Sequence, residues 1–535
     1  MPRLMRIGHR LREIGRRSLL SAFRYLSRPP LQWRPLSELY QAETLDVCIV
    51  GSGPAGAVLG LDLVKSGFKT VILESGSEFN CRIPDTSTEE LNAWRSSGSV
   101  EYPLGASRCQ GLGGTSNLWT GLACPRLHPF DFQDNAYTPR AAPWPITYAE
   151  LEPYYERAEQ TLGVRGGILS AYCPPRSSIL PPSPQSDNAT LKVMLQKVGI
   201  TVDNSPESAK GYDGDCVRVA RDMLPYFSNK RDGLLICGGA VTRLLPDATG
   251  HINGAVVESF DGVKKLLRAR IYVIACGALE TARLLLLSRC RFFPEGIGNR
   301  SSVVGRHFME HIKTTYHGHI PHRDFSGYGR CHQFYETLKR QGFGSVILAF
   351  GAQRVGDQDG LRISADIEMV PSETNRVTLA HDLEDHFGNP GVNLSLNLTG
   401  QDIETIEQVR SLIYRIYADL GAQNVVQAVE DGSAITWLHH HMGSCRMGDN
   451  PTTSVTDRNL RVHQSPNLYV AGSAVFVTSG ASNPTLTIAA LSHRLADHLA
   501  ARLQCLPSKD HATRSPASLT RSRDGQINNA AKGYA

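Results

Sequence analysis

No run of 18 apolar residues occurs anywhere in the chain, so a transmembrane helix is not expected. C-x-x-C pairs are missing as well. The twelve cysteines are scattered, and Cys48, Cys237 and Cys276 fall inside apolar runs, where a thiol behaves as a small hydrophobe. That pattern argues against a disulfide framework and for a reducing compartment, with the cytoplasm as the expected location. Charge of one sign is also in short supply. The formal net charge is +5 over 535 residues, and no basic patch interleaves with aromatics, so nucleic acid is not an expected partner. What is present is length, with 41% hydrophobic residues, 49 Gly and 30 Pro. This describes a loop-rich globular enzyme too long for one core, built from two or more domains.

Residues 1–43 differ from the rest in composition. Nine arginines, from Arg3 to Arg34, face only Glu13, Glu38 and Glu43, while Leu4, Ile7, Leu11, Ile14, Leu19, Phe23 and Leu26 recur at near-helical spacing. The pattern predicts a basic amphipathic helix before Pro29-Pro30. Three readings stand beside a plain solvated extension. Arg16-Arg17 matches a twin-arginine signal only superficially, because Arg24 interrupts the apolar stretch and no A-x-A site follows. An Arg-rich, acid-poor leader also resembles a transit peptide. A helix resting on an anionic membrane surface, or on the protein's own body, is the third.

The most informative stretch is Leu45–Gly76. The apolar run Val47–Val50 reads as a fully buried strand. It ends in Gly51-Ser52-Gly53-Pro54-Ala55-Gly56, a G-x-G-x-x-G turn opening an apolar helix that stops near Gly67. A second buried strand, Thr70–Leu73, leads to Glu74, 23 positions after Gly51, where an acid at roughly 20 is expected to hold a ribose hydroxyl. Gly51 permits the tight turn, Gly53 lets backbone approach a pyrophosphate, and Gly56 permits close helix–strand packing. The helix N-terminus offers free N–H groups to the phosphates. An adenine dinucleotide is expected here, though the motif alone does not say which.

Further along, Gly111–Gly121 (GLGGTSNLWTG) is dense enough in glycine to imply close backbone approach or a chain of strained turns. The acidic run Tyr148–Leu162 predicts a surface helix, and 163–212 is loop-dominated. A strand is expected over Gly238–Leu244, with a hairpin-like segment around Asn253-Gly254 and Asp261-Gly262. The strand Ile271–Ala278 runs into a helix over Leu279–Leu287; its Cys276-Gly277 turn either faces a cofactor or is an ordinary βα turn. Residues 306–435 lack βαβ rhythm. The runs Val346–Phe350, Arg362–Met369 and Val392–Asn397 suit a largely antiparallel sheet, with a helix over Asp402–Leu420 packed on it. A polar tail, 506–535, is expected to be disordered.

The densest chemistry is Leu438-His439-His440-His441-Met442-Gly443-Ser444-Cys445, followed by the strand Asn467–Ala471, Gly472-Ser473, and Gly480–Thr487 opening a last helix. Three adjacent histidines on a strand would alternate faces, and no carboxylate or cysteine lies at ligand spacing, so no metal site is expected. An imidazole with a pKa near 6.5 suits removal of a hydroxyl proton. The alternative is a set of polar loop histidines without a role.

These residues resemble the glucose–methanol–choline (GMC) oxidoreductases, from about Asp46 to Leu499. The resemblance rests on Gly51–Gly56 with Glu74, the Gly111–Gly121 loop, Ala275–Leu287, Gly305-Arg306, His440–Gly448 and Asn483–Thr487. Asn483-Pro484-Thr485-Leu486-Thr487 looks most like the pyranose-oxidase and sugar-dehydrogenase branch. The implied fold is a Rossmann-like FAD-binding domain of α/β type with a discontinuous, antiparallel-sheet substrate domain. The implied parts are an extension (1–43), FAD-binding segments (44–130, 211–305, 436–505), a loop-rich cap (131–210), a substrate domain (306–435) and the tail.

The resemblance implies FAD held by Gly51, Ser52, Gly53, Pro54, Ala55, Gly56, Glu74, Ser75, Gly113, Gly114, Thr115, Asn117, Thr120, Val241, Cys276, Gly277, Gly472, Ser473, Asn483, Pro484 and Thr485. It puts the catalytic base at His440 and its partner at Asn483. The implied reaction oxidises the CH–OH group of a sugar, glycoside or polyol to a carbonyl, with hydride passing to flavin N5 and oxygen, a quinone or a cytochrome as the acceptor. Pyranose oxidases carry a flavin-linking histidine just before Trp-Thr. Here Leu118 precedes Trp119-Thr120, so the FAD is expected to be non-covalent. Hydroxynitrile lyases share the scaffold, which makes a redox-neutral lyase the alternative, and a non-catalytic flavin-binding protein the next.

Overall fold

The structure is a computed structural model describing residues 29–39, 45–76, 93–121, 123–134, 136, 143–166, 170–176, 188–208, 216–321, 325–355, 358–430 and 432–505. The expected N-terminal helix and the 506–535 tail lie outside the described residues. Among the described residues, no helix is long and apolar enough to cross a membrane.

The central sheet is parallel, six-stranded and assembled from distant parts of the chain. It begins with β1 (Arg34–Pro35), β2 (Leu45–Val50), helix α1 (Pro54–Lys65) and β3 (Thr70–Glu74). After a long excursion come β4 (Gly233–Cys237), an antiparallel meander of β5 (Gly239–Pro246), β6 (Ile252–Ser259) and β7 (Lys264–Leu267), then β8 (Ala269–Ile274) and α2 (Gly277–Leu287). The apolar runs at β2 and β3 are buried throughout their centres, as strands covered on both faces must be.

The second sheet is antiparallel. It contains β9 (His311–His319), β10 (Tyr328–Cys331), β11 (Val346–Val355) and β12 (Gln358–Glu368), in the order β10-β11-β12-β9 and then strand Gln423–Gln427, with Thr436–Trp437 also on β9. Strand β9 pairs with β12 over nine residues, from His311↔Glu368 to His319↔Gly360. A small third sheet joins β13 (Arg376–Glu384) to β14 (Pro390–Ser395) and to strand Trp94–Ser97. Helix α3 (Gly400–Asp419) packs Ile413 and Tyr417 inward; the Tyr417 hydroxyl donates to the carbonyls of Tyr316 and Leu361. The chain then returns to the parallel sheet as β15 (Leu468–Val470) and closes with α4 (Thr485–Cys505).

Parallel-sheet order is β1-β4-β3-β2-β8-β15. The connection out of β2 runs one way to β3, whereas β8 and β15 lie on the other side. The order therefore reverses between β2 and β8, and the crevice at their carboxyl ends is where ligands bind in such sheets.

Several expectations need correction. Arg34–Pro35 pairs with β4, so the 1–43 segment is not wholly an extension. Asn253-Gly254 lies inside β6, and the chain reverses at Asp247–Gly250 instead. Gly254 is there for packing: a Cβ would come 2.5 Å from Leu266 Cδ1. Helix Tyr148–Thr161 is no mere surface helix, since Tyr155 and Glu159 are buried and the Tyr155 hydroxyl meets Thr487 Oγ1 at 2.8 Å on α4. The helix expected from Asp402 starts at Gly400, because Thr399 caps it and Asp402 reaches back to the Thr399 amide at 2.7 Å. Asp203, in the segment expected to form a loop-rich cap, is joined to the antiparallel sheet through its bridge with Arg330.

Candidate active site

Three strand ends bring the expected nucleotide-binding residues together. Gly51, at φ +105°, ends β2, and a Cβ there would lie 2.5 Å from the Ala275 carbonyl at the end of β8. Gly472 follows β15, its Cβ position 3.6 Å from Ala55 Cβ on the finger. Gly56 allows the first turn of α1 to sit on the Gly51 carbonyl, where a Cβ would approach to 2.0 Å. Gly53 and Gly277 differ: Cβ atoms built on either meet nothing within 4 Å among the described residues. Glycine at both positions keeps backbone bare toward open space, as a close-fitting pyrophosphate requires.

The glycine loop docks directly on this finger. Gly114 stands 3.3 Å, measured from its Cβ position, from Gly53 Cα. Ser52 joins the two, its hydroxyl donating to Glu74 Oε2 at 2.5 Å and accepting the Gly113 amide at 3.1 Å. Glu74 Oε1 accepts the Gly76 amide at 3.1 Å. Burial raises the Glu74 pKa, against these hydrogen bonds. The carboxylate expected to face a ribose is thus largely engaged in holding the finger. Asn117 likewise spends its amide inside the loop, on the carbonyls of Leu112 and Gly114. Thr115 Oγ1 accepts the Cys109 amide, Thr120 is exposed, and Val241 is half-buried on β5.

Arg218, which sequence reasoning missed, clamps the loop by donating to the carbonyls of Ser116, Asn117 and Trp119 at 2.9, 2.9 and 2.7 Å. Ser75 is half-buried beside Glu74, and the Cys276 thiol donates to the Val50 carbonyl at 3.1 Å. The Ser473 hydroxyl donates to the His441 carbonyl at 2.6 Å. This ties the nucleotide end to the histidine segment. Pro484 and Thr485 open α4 next to Asn483.

The histidines do not lie on a strand. His439 adopts φ +60° and the segment is irregular, so the expected alternation of faces does not apply. His440 Nε2 and Asn483 Nδ2 lie 3.2 Å apart. His440 Nδ1 meets His311 Nδ1 at 2.9 Å, and His311 Nε2 meets the Gly480 carbonyl at 2.7 Å. Glu310 accepts the amides of His311 and His440 at 2.7 and 2.5 Å, fixing two distant segments together. Tyr102 donates to Glu310 Oε2 and contacts His441 Nε2 at 2.8 Å.

Burial sets the charge state here. It lowers His440 well below its ordinary 6.5, helped by His311 and Arg330, and lowers His311 to about 4 and His441 to about 3. It raises Glu310 to about 7. The imidazoles are neutral near pH 7, so His440 is able to accept a proton. His311, Glu310 and Tyr102 escaped sequence reasoning; the only local signal was a Glu-His pair entering a strand just after Gly305-Arg306.

The residues fit FAD. Bare glycines line the crevice, a helix N-terminus faces it, and the Asn483 Oδ1 atom is buried without a partner among the described residues. Residues 44–81 match the FAD binding domain model, and 371–492 match the GMC oxidoreductase model. The chain is 29% identical to the 6'''-hydroxyparomomycin C oxidase of Streptomyces lividus, over 85% of this chain and 92% of that one. It is 26% identical to the 2-methyl-1,2-propanediol dehydrogenase of Mycolicibacterium austroafricanum, over 86% and 96%. The formate oxidase of Aspergillus oryzae RIB40 superposes with a TM-score of 0.60 at 17% identity, covering 87% of this chain and 99% of that structure, which establishes the fold. Fold and site define an FAD-dependent oxidoreductase acting on CH–OH donors. Over residues 371–492 the chain is similar to the GMC oxidoreductases.

Proposed function

We propose that the protein oxidises an alcohol of a sugar, glycoside or polyol, with His440 as base and Asn483 orienting the same oxygen. The observation that carries this reading is the 3.2 Å pairing of His440 Nε2 with Asn483 Nδ2. Bound FAD supplies the hydride acceptor. His440 Nε2 takes the hydroxyl proton as the O–H bond breaks, and Asn483 steadies the oxygen through its amide. The backbone of Gly51–Gly56, Gly113-Gly114 and Gly277 would hold the cofactor, without a covalent bond because Leu118 offers no nucleophile.

The substrate class rests on the face of the antiparallel sheet that carries His311. Side chains two residues apart, and those directly paired across strands, share a face. That face therefore also bears Lys313, Thr315, Arg362, Ser364 and Asp366. A wall of donors and acceptors suits a polyhydroxylated substrate better than a fatty alcohol. The names of the two relatives, one an oxidase of an aminoglycoside and one a dehydrogenase of a diol, support the same class. Scattered cysteines favour a reducing compartment such as the cytoplasm.

The test is anaerobic bleaching of the flavin absorbance by a panel of glycosides, aminoglycosides, polyols and long-chain alcohols. Bleaching by a polyhydroxylated compound, slowed by something like 10²–10⁴ in His440→Ala with FAD retained, is the expected result. A cyanohydrin cleaved without bleaching would establish the lyase reading instead. Re-oxidation by air, compared with re-oxidation by a quinone, assigns the acceptor.

A further inference from the structure

We propose that His311 is a positioning residue that, with the Gly480 carbonyl, fixes the tautomer of His440 so that Nε2 is the atom that receives the substrate proton. The inference rests on the base assignment above and adds to it which nitrogen acts and what enforces that choice.

With both rings neutral, donors and acceptors fix the tautomer. A carbonyl oxygen only accepts, so at 2.7 Å from Gly480 O the His311 Nε2 atom carries hydrogen. A neutral imidazole has one N–H, which leaves His311 Nδ1 as a lone pair. That lone pair sits 2.9 Å from His440 Nδ1, which must therefore donate. Having its hydrogen on Nδ1, His440 presents a lone pair at Nε2. Asn483 Nδ2, 3.2 Å away, donates to that lone pair, and Asn483 Oδ1 is left buried and unpaired among the described residues. The chain of hydrogen bonds thus ends at the one lone pair of His440 Nε2, which a substrate hydroxyl takes over from Asn483 Nδ2 when it brings its hydrogen, with Asn483 Oδ1 beside it as a second acceptor.

The anchor of this chain is itself over-determined. Gly480 has φ +53°, and a Cβ there would lie 2.2 Å from the Tyr335 hydroxyl oxygen. Its amide donates to Glu368 Oε1 at 3.1 Å, and the next amide, of Ala481, donates to the Tyr335 hydroxyl at 3.2 Å. Both peptide groups are held by side chains at the end of β12 and on helix Tyr335–Arg340. The carbonyl has little freedom to turn away. Burial of His311 and His440, with the Arg330 guanidinium nearby, keeps both rings neutral.

In the step itself the Nε2 lone pair forms an N–H bond, the substrate O–H breaks, and its electron pair stays on oxygen. His440 becomes an imidazolium whose Nδ1–H still donates to His311. Loss of the His311 acceptor removes both the tautomer preference and that stabilisation.

The test uses FAD-loaded enzyme labelled with [15N]histidine, with long-range 1H–15N correlation spectra reporting the tautomer of His440. Nδ1–H is expected in the wild type and a shift toward Nε2–H in His311→Leu. Flavin reduction should fall about 10- to 100-fold in His311→Leu, with KM and FAD content little changed. His311→Asn, whose carbonyl can accept where Nδ1 did, should recover most of the rate. An Nε2–H tautomer in the resting wild type overturns the proposal. So does an undiminished rate in His311→Leu while His440→Ala is crippled. If His440→Ala itself is unimpaired, the base assignment fails instead.

Discussion

Glu368, the last residue of β12, accepts the Gly480 amide at 3.1 Å on one carboxylate oxygen and faces the Lys339 ammonium at 3.1 Å on the other. Lys339 is fully buried and also pairs with Asp131, which accepts the Tyr335 hydroxyl at 2.6 Å. A wholly buried cation between two carboxylates thus underlies the turn that carries Gly480. The opposite charges raise the Lys339 pKa in spite of its burial.

Removing the cation should be costly. Lys339→Met leaves Asp131 and Glu368 buried without their counter-charge, a situation worth about 3–5 kcal/mol. Urea denaturation is expected to show a loss of that order. A change under 1 kcal/mol would mean the cluster is already neutral.

Two glycines of the finger should separate folding from cofactor binding. Gly56→Ala puts a methyl 2.0 Å from the Gly51 carbonyl and must displace the helix from the turn, so both apo-protein stability and FAD retention should fall. Gly53→Ala meets nothing within 4 Å among the described residues. Its apo melting temperature should match the wild type while FAD affinity drops. Thermal melts with and without FAD, plus the flavin absorbance left after gel filtration, decide both.

Attachment of the flavin is checked by precipitation with acid. With Leu118 where a linking histidine would stand, all yellow colour should appear in the supernatant. Colour retained on the polypeptide would refute non-covalent binding.

Stability should decline as the pH falls below neutrality. His311, His440 and His441 have folded-state pKa values below 6.5, His311 at about 4 and His441 at about 3. The unfolded chain then binds more protons than the folded one through this range. Their contribution is fully present above pH 6.5 and is lost as the pH falls toward 4 and 3, at about 1.4 kcal/mol per unit of depression. Glu310, raised to about 7, acts oppositely, losing stability as pH rises from 4.5 to 7. Three histidines outweigh one carboxyl, so the melting temperature should drop between pH 6.5 and 4. His441→Gln should flatten that slope.

Local patterns carried much of this architecture. Unbroken apolar runs at Val47–Val50 and Ile271–Ile274 mark strands buried on both faces, and G-x-G-x-x-G before a helix marks a phosphate turn, because each depends on neighbours a few residues away. His440 and Asn483 were proposed from the family resemblance. Three things were not legible. Asn253-Gly254 has the composition of a turn, yet it sits in a strand because Leu266 on the adjacent strand needs the space. His439–His441 look strand-like, but the Glu310 carboxylate pulls the His440 amide out of any ladder. Arg218 and His311 carry no motif at all.

The sequence by itself determined the parallel-sheet core and the nucleotide finger, since those signals are short-range periodicities and spacings, while the two residues proposed to touch the substrate came from the family resemblance. Only the tertiary structure decided what holds them. His311 lies 129 positions from His440 and 169 from Gly480, and hydrogen bonds between such partners form only after two sheets have packed and excluded water. Those bonds fix the direction in which His440 presents its lone pair, and no pattern along the chain encodes that direction.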